Sequence, residues 1–216
     1  MSVLTIIEGA AAATPAAAKV AIYAKADGLV YSKDDAGTET QMSSAEKLVT
    51  SVSASASSSI SFDGAFAMGA GYDYIIRCRE VKNSIDADCY LQYGTGATPT
   101  YQTTGYTNQV IQAVGAVSTE QRDGITTAII AQIGTAGGGA SAGETWDATF
   151  EISNPAANQL HKTISTIGFL STDGLIRWGA AAGMRTTAEV ITGLKIFPST
   201  GTFTTGIFYL YRRKLS

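Results

Sequence analysis

The single histidine of this 216-residue chain limits the nucleophilic chemistry that the sequence can support. A Ser-His-Asp arrangement needs a histidine beside a nucleophile that a sharp turn presents. His161 lies in NQLHKTIST, at the start of a predicted strand, and the G-x-S-x-G sequence occurs nowhere in the chain. We therefore interpret His161 as a surface or inter-strand residue.

Paired carboxylates could hydrolyse a glycosidic bond, a reaction that β-rich scaffolds can support. The candidate pairs are Asp34 with Asp35, Asp86 with Asp88, and Asp147 with Glu151. Each pair falls in a predicted loop or on a solvated strand face, where carboxylates are common without any catalytic role. The sequence therefore predicts a protein that is not an enzyme, with no catalytic residue and no cofactor.

A glycine-rich segment, GTAGGGASAG at residues 134–143, superficially resembles a phosphate-binding loop. It lacks the Gly-Lys-Ser/Thr ending and a following helix, both of which that loop requires. We interpret the segment as a hairpin loop.

Two cysteines and one histidine argue against a structural zinc site, and no C-x-x-C motif is present. We expect no bound metal. Cys78 lies in YDYIIRCREV and Cys89 in DADCYLQYG, two strand-like runs on either side of Asn83 and Ser84. If these runs form one hairpin, the two thiols face each other on an apolar face and stay buried and reduced.

Charge and hydropathy exclude several partners. The net charge is −3 and the 15 Lys and Arg residues are scattered, so no basic patch for nucleic acid is evident. No apolar stretch is long enough to span a membrane. The N-terminus resembles a secretion signal, but Glu8 interrupts its apolar run and the first cation is Lys19. We expect a soluble protein made in a cytoplasm.

Strand signals dominate the chain from about residue 44 onwards. The 23 glycines separate short runs rich in Val, Ile, Thr and aromatic residues, and no run has a convincing helical period. Even the serine-rich TSVSASASSSISF alternates like a half-buried strand rather than a linker. The sequence predicts an all-β, antiparallel sandwich or jelly roll over residues 44–216.

Residues 1–43 form a separate leader. An alanine-rich stretch, extended or flexible, comes first, and Pro15 argues against a helix within it. Two short β-runs at residues 22–25 and 29–33 then flank an Asp27-Gly28 turn and predict a small β-hairpin. A lone hairpin is marginal in water, so we expect this segment to dock onto another chain or particle.

Two surface features suggest binding. Tyr90, Tyr93, Tyr101 and Tyr106 cluster among small polar residues, where tyrosines stack on sugars, fill interfaces or simply pack between strands. Runs such as RWGAAAGM, VIQAVGAV and ITTAIIAQIG offer few polar residues to either face, so a monomer would expose apolar sheet surface. Association would cover that surface.

Three segments in order resemble small fibre and appendage proteins of tailed bacteriophages. They are IYAKADGLVYSKDDAGTETQM near the front, YDYIIRCREVKNSIDADCYLQYGTG in the middle, and ITGLKIFPSTGTFTTGIFYLYRRKLS at the end, together about a third of the chain. The resemblance implies a virion structural protein, assembled in the host cytoplasm, with a jelly-roll-like domain that forms a homotrimer.

The same resemblance implies partners. Residues 1–43 would bind other virion proteins, and the far end of residues 44–216 would contact a glycan or protein of the host surface, with Tyr93, Tyr101 and Tyr106 as contact candidates. The alternative is a capsid head fibre or decoration protein with a purely structural role. A free carbohydrate-binding module is a third possibility.

Overall fold

The computed structural model describes residues 8–9, 12–25, 30–42, 46–64, 71–114, 118–123, 127–132, 143–170 and 176–215. Within these ranges the chain forms β-strands and no helix, so no described helix could cross a membrane. The strands are β1 (Glu8–Gly9), β2 (Ala21–Lys25), β3 (Val30–Lys33), β4 (Glu39–Gln41), β5 (Lys47–Ser53), β6 (Ile60–Asp63), β7 (Tyr72–Asn83), β8 (Cys89–Thr95), β9 (Thr100–Tyr101), β10 (Tyr106–Val114), β11 (Ser118–Asp123), β12 (Ile129–Gln132), β13 (Trp146–Ile152), β14 (Lys162–Leu170), β15 (Ile176–Arg185), β16 (Ile191–Pro198) and β17 (Phe203–Lys214).

The chain divides into two compact units, Met1–Glu46 and Lys47–Ser216. In the first unit, β1, β2, β3 and β4 form one sheet in that order. The predicted hairpin is confirmed, because β2 and β3 pair antiparallel with Tyr23 opposite Tyr31. The Asp27-Gly28 turn that would join them lies outside the described residues.

The first unit has a small core of its own. Tyr23 and Tyr31 are each only 6% exposed, and their rings stack with centroids 6.1 Å apart. Glu39 accepts hydrogen bonds from the Tyr23 hydroxyl and from Lys25, whose ammonium lies over the Tyr31 ring. Docking onto virion proteins through residues 1–43 stays a prediction.

The second unit consists of two antiparallel sheets. The larger sheet has the strand order β11-β10-β15-β14-β13-β7-β17-β5, and the smaller has the order β12-β8-β16-β6, with β9 added beside β8. One cluster of buried side chains joins the sheets, drawing on β7, β13 and β17 from one and on β8 and β16 from the other. The predicted all-β antiparallel sandwich is therefore confirmed, while jelly-roll winding stays a prediction.

The serine-rich segment contributes to both sheets. It forms β5 at the edge of the larger sheet and β6 at the edge of the smaller one. Between them Ala56 adopts a positive φ of 50°, which breaks the extended conformation. The predicted alternation is correct for Ala54, Ile60 and Phe62, which are buried. It is wrong for Ala56, which is exposed, and in assuming one continuous strand.

The predicted hairpin between YDYIIRCREV and DADCYLQYG is wrong. Cys78 lies on β7, which pairs with β13 and β17, whereas Cys89 lies on β8, which pairs with β16 and β12. Both cysteines are nevertheless fully buried and unbonded within the same core. The alternation identified the inward faces correctly, but the two strands face each other across the sandwich instead of pairing edge to edge.

Both thiols should be inert in the native protein. Burial raises the pKa of Cys78, with a further contribution from the neighbouring Cys89, and burial likewise raises the pKa of Cys89. Because only the thiolate reacts, we expect no labelling by Ellman's reagent at pH 8 and two reactive thiols per chain after unfolding in guanidinium. An Ala188→Cys variant, at an exposed position, should give one fast-reacting thiol as the control. Rapid native labelling of the unmodified protein would contradict this burial.

Candidate functional site

Two of the three tyrosines predicted to contact a receptor are core residues. Tyr93 is 0% exposed and Tyr106 is 2% exposed. The Tyr93 hydroxyl bonds to the Thr163 hydroxyl, and the Tyr106 oxygen accepts the Tyr93 backbone N–H at 2.9 Å. Burial raises the pKa of Tyr106 to about 12. With no exposed surface to offer, Tyr93 and Tyr106 cannot contact a receptor in this conformation, and their assignment as contacts is corrected.

Tyr101 is only partly buried, on the outer face of the smaller sheet. Its ring lies over Gly94, where an added Cβ would come within 3.3 Å of the ring. Its hydroxyl donates to Asp63, and the Lys195 ammonium lies 4.7 Å from the ring centroid. Tyr101 is thus held by its neighbours but accessible, and its role as a receptor contact stays a prediction.

His161 is not placed for nucleophilic catalysis. It is 0% exposed, so of the two predicted locations, surface or inter-strand, the surface is excluded, and it packs edge-on against Tyr93 with ring centroids 6.1 Å apart. Its Nε2 donates to the Glu189 carbonyl oxygen at 2.6 Å. The imidazole is therefore a buried packing group just before the start of β14.

The carboxylate pairs occupy structural positions. Asp34 accepts the Thr38 backbone N–H and Asp35 the Ala18 backbone N–H, each at 2.7 Å, which closes loops of the first unit. Asp88 accepts from the Tyr90 hydroxyl at 3.1 Å, while Asp86 is exposed in the neighbouring turn.

Asp147 and Glu151 lie on the same face of β13 and do not have the spacing of a glycosidase pair. Four residues along a strand separate their Cα atoms by about 13 Å. Their carboxylates also face different cations, Arg79 for Asp147 and, at 3.8 Å, Arg213 for Glu151, whereas the two carboxyl groups of a glycosidase flank a single bond. Asp147 instead holds a local irregularity of the sheet.

That irregularity is a β-bulge in β7. Arg79 and Glu80 together stand opposite Asp147, and Glu80 adopts a positive φ of 50°. Asp147 Oδ1 accepts the Glu80 backbone N–H at 2.7 Å, and its Oδ2 accepts from Arg79 Nη1 at 3.0 Å. On the other side Gly206 approaches so closely that an added Cβ would lie 2.7 Å from Val81 Cα. The bulge fixes Arg79 on the outer face of the larger sheet.

A shallow groove lies beside this ion pair, and we call it the Trp178 groove. Its lining residues on the outer face are Arg79, Asp147, Thr149, Thr166, Gly168 and Trp178. Gly168 pairs with Trp178 across β14 and β15, and a Cβ added at Gly168 would meet nothing within 4 Å. The 54% exposed indole therefore stands beside an open floor.

An apolar face lies next to the groove on the same sheet. We define it by Ile111, Ile164, Ala180 and Ala182, on β10, β14 and β15. Ile111 pairs with Ala180 and Ile164 with Ala182, so the four form two adjacent rows. The two isoleucines are 46% and 62% exposed. The predicted apolar strand surface is thus present in the described residues of RWGAAAGM and VIQAVGAV, whereas most of ITTAIIAQIG lies outside them or has no described side chain.

The Trp178 groove lies towards the end of the sheet away from the start of the second unit. Lys47 pairs with Arg212, whereas Ser53, at the other end of β5, pairs with Ile207, which in turn pairs with Arg79. The six residue steps from Lys47 to Ser53 correspond to about 20 Å along β5. Among the described residues, we find no cluster of three or more His, Cys, Asp or Glu side chains that could hold a metal ion.

Sequence reasoning missed Trp178 and Arg79. No local signal marks Arg79, because its partner Asp147 is 68 positions away and the bulge depends on both strands. Trp178 carried one usable signal, since a tryptophan in a run of glycine and alanine has few large neighbours to bury it.

Comparison with known proteins adds no assignment, because neither a protein-family model nor a curated protein matches the chain.

Proposed function

We propose that this chain is a structural protein of a bacteriophage virion, a homotrimeric tail-fibre-type appendage that contributes to attachment to the host surface. The proposal begins with the three ordered segments that resemble such proteins. They correspond to β2, β3 and β4 in the first unit, to β7 and β8, and to β16 and β17.

The observation that carries the proposal is the exposed apolar face beside a polar, aromatic groove. Ile111 on β10 and Ile164 on β14 are large apolar side chains that face outwards on either side of β15, with only the small Ala180 and Ala182 of β15 between them. Contiguous apolar surface on a soluble protein marks an interaction site. A cyclic trimer covers one such face per subunit without leaving an open end for fibre growth.

The two-unit organisation also supports an appendage. A first unit with its own sheet and core can bind the particle while the second unit presents a different surface. The Trp178 groove lies about 20 Å along β5 from Lys47, the residue at which the second unit begins.

The purified chain should sediment as a homotrimer and should inhibit adsorption of its phage to host cells. Each interface should bury more than about 1,000 Å², as stable assemblies do, so the trimer should persist at micromolar concentration. Analytical ultracentrifugation gives the stoichiometry, and an adsorption assay with added protein gives the inhibition.

Residues 44–216 alone provide the matched control. This truncated chain should stay soluble and inhibit adsorption but should no longer enter particles. A monomer at micromolar concentration would overturn the assembly. Trimers that neither bind host cells nor inhibit adsorption, with labelled protein located on the capsid shell, would replace attachment by the structural role of a head fibre or decoration protein.

A further inference from the structure

We propose that the Trp178 groove binds a neutral sugar ring of a host-surface glycan. The inference rests on the proposed attachment function and adds to it the class of ligand and the residues that contact it. The three accessible elements that such a ligand needs are an aromatic plane, an open floor beside it and fixed polar groups at its edge.

Trp178 supplies the aromatic plane. Its side chain is 54% exposed, the largest exposed aromatic surface among the described residues. The apolar C–H face of a pyranose packs on an indole because the ring presents a negative face to the slightly positive hydrogens. Gly168, directly opposite on β14, leaves the space beside the indole open for that ring.

Polar groups border the same space. Thr149 and Thr166 pair across β13 and β14, so their side chains stand side by side on the outer face. The Asp147 carboxylate is fixed at both oxygens, by the Glu80 backbone N–H and by Arg79. A pre-fixed carboxylate loses little freedom when it accepts a further hydrogen bond from a ligand hydroxyl.

The charges favour a neutral ligand. Arg79 and Asp147 neutralise each other, and their side chains are 56% and 48% exposed, so both can still reach a ligand. The guanidinium has N–H donors beyond the one that Asp147 uses, while the carboxylate accepts. Adjacent hydroxyl groups of a hexose, which donate and accept alike, match this pair, whereas a mutually neutralised pair offers no net positive charge to hold an anionic sugar.

A subunit contact is the competing role for Trp178. The core of a subunit interface is depleted in charged residues, yet the indole here shares its groove with a charged pair. The neighbouring apolar face, with Ile111 and Ile164, fits a subunit contact better. We therefore assign Trp178 to the ligand and the apolar face to assembly.

Binding of the full chain to an array of neutral oligosaccharides, with polygalacturonate fragments as the anionic probe, tests the proposal. We expect binding to at least one neutral probe and none to the anionic one. Trp178→Ala should weaken binding by about tenfold or more, since it removes the stacking surface. Trp178→Phe, which keeps an aromatic plane, should retain most of the affinity.

Two further variants test whether a loss of binding comes from a lost ligand contact or from a loss of folding. Thr149→Val removes one hydroxyl at nearly constant shape and should weaken binding by about fivefold. Val190→Ala removes a different exposed apolar side chain and should leave binding unchanged. Thermal unfolding should show that all four variants remain folded.

The possible outcomes distinguish a failure of the sugar-site proposal from a failure of the proposed attachment function. If the chain inhibits adsorption but binds no neutral probe at millimolar concentration, or if Trp178→Ala inhibits adsorption as well as the unmodified chain, the sugar site is overturned while attachment stands. Loss of the trimer in Trp178→Ala would also overturn the proposal and place the indole in the subunit interface. Neutral-probe binding without inhibition of adsorption would support the groove and contradict the attachment function.

Discussion

Replacing Trp146 with alanine is expected to lower the free energy of unfolding by about 3–5 kcal/mol, the usual cost of removing a large buried aromatic side chain. Trp146 is 1% exposed at the start of β13 and packs edge-on against Phe203 and Phe208, with ring centroids 6.0 and 6.3 Å away. These rings come from β17, which is separated from β13 by β7 within the larger sheet. Losing the indole leaves a cavity that neighbouring strands cannot close without breaking their pairing.

Urea unfolding at one fixed protein concentration measures the change, because self-association adds to apparent stability. For a chain of this size the midpoint of thermal unfolding should fall by about 10 °C. Trp178→Ala is the matched control, since it removes the other of the two tryptophans from an exposed position. That change should cost no more than about 0.5 kcal/mol. Equal losses in the two variants would contradict the assigned burial of the two indoles.

The faces of several strands could be predicted from the sequence because alternation records burial directly. In β7, Tyr74, Ile76 and Cys78 are all buried, as their shared parity indicates, although Ile75 of the opposite parity is buried as well. In β8 the same holds for Leu91 and Tyr93. The partners of these strands could not be predicted, because alternation specifies a face and not a neighbour. Residues 84–88 look like a hairpin turn, but they carry the chain from one sheet to the other.

The Trp178 groove could not be predicted because its strand carries no clear alternation. In β15 glycine and alanine occupy both parities from Gly179 to Gly183, so either face could point inwards. The structure places Arg177 inwards, 7% exposed, and Trp178 outwards. Hydropathy alone would have chosen the reverse. Small residues in β15 therefore allow the sheets to approach closely, but they also remove the alternation that would show which face Trp178 lies on.

The tyrosine candidates failed for a different physical reason. The small polar residues around Tyr93 and Tyr106 suggested accessible tyrosines, yet both side chains are buried on strands, β8 and β10. Their hydroxyls are accommodated in the interior because each has a partner there, Thr163 for one and the Tyr93 backbone N–H for the other. Polar tips on large apolar bodies make tyrosine compatible with either location. Its presence among small polar residues does not decide between them.

Glu189→Ala should destabilise the second unit by about 3–5 kcal/mol, because it leaves the Arg185 guanidinium buried without its counter-charge. Arg185 Nε donates to Glu189 Oε1, and the two side chains are only 8% and 16% exposed. Other Arg185 N–H groups donate to the Thr104 carbonyl and, at 3.3 Å, to Gln102 Oε1, but both acceptors are neutral. The nearby Tyr106 ring, 5.5 Å from the guanidinium carbon, cannot replace a carboxylate. Chemical denaturation of the single variant measures the loss.

The double variant Arg185→Met with Glu189→Leu determines whether that loss comes from an unpaired charge or from packing. If the unpaired guanidinium is the cause, removing both charges while keeping similar volume should restore most of the stability, since a buried ion pair gains little over well-packed apolar groups. Thr104 and Gln102 lie partly at the surface and can bond to water once Arg185 is gone. The His161 contact should persist in both variants, because its partner is the Glu189 backbone carbonyl. A double variant as unstable as Glu189→Ala would show instead that the fit of these two side chains, rather than their charge, holds the ends of β10 and β15 together.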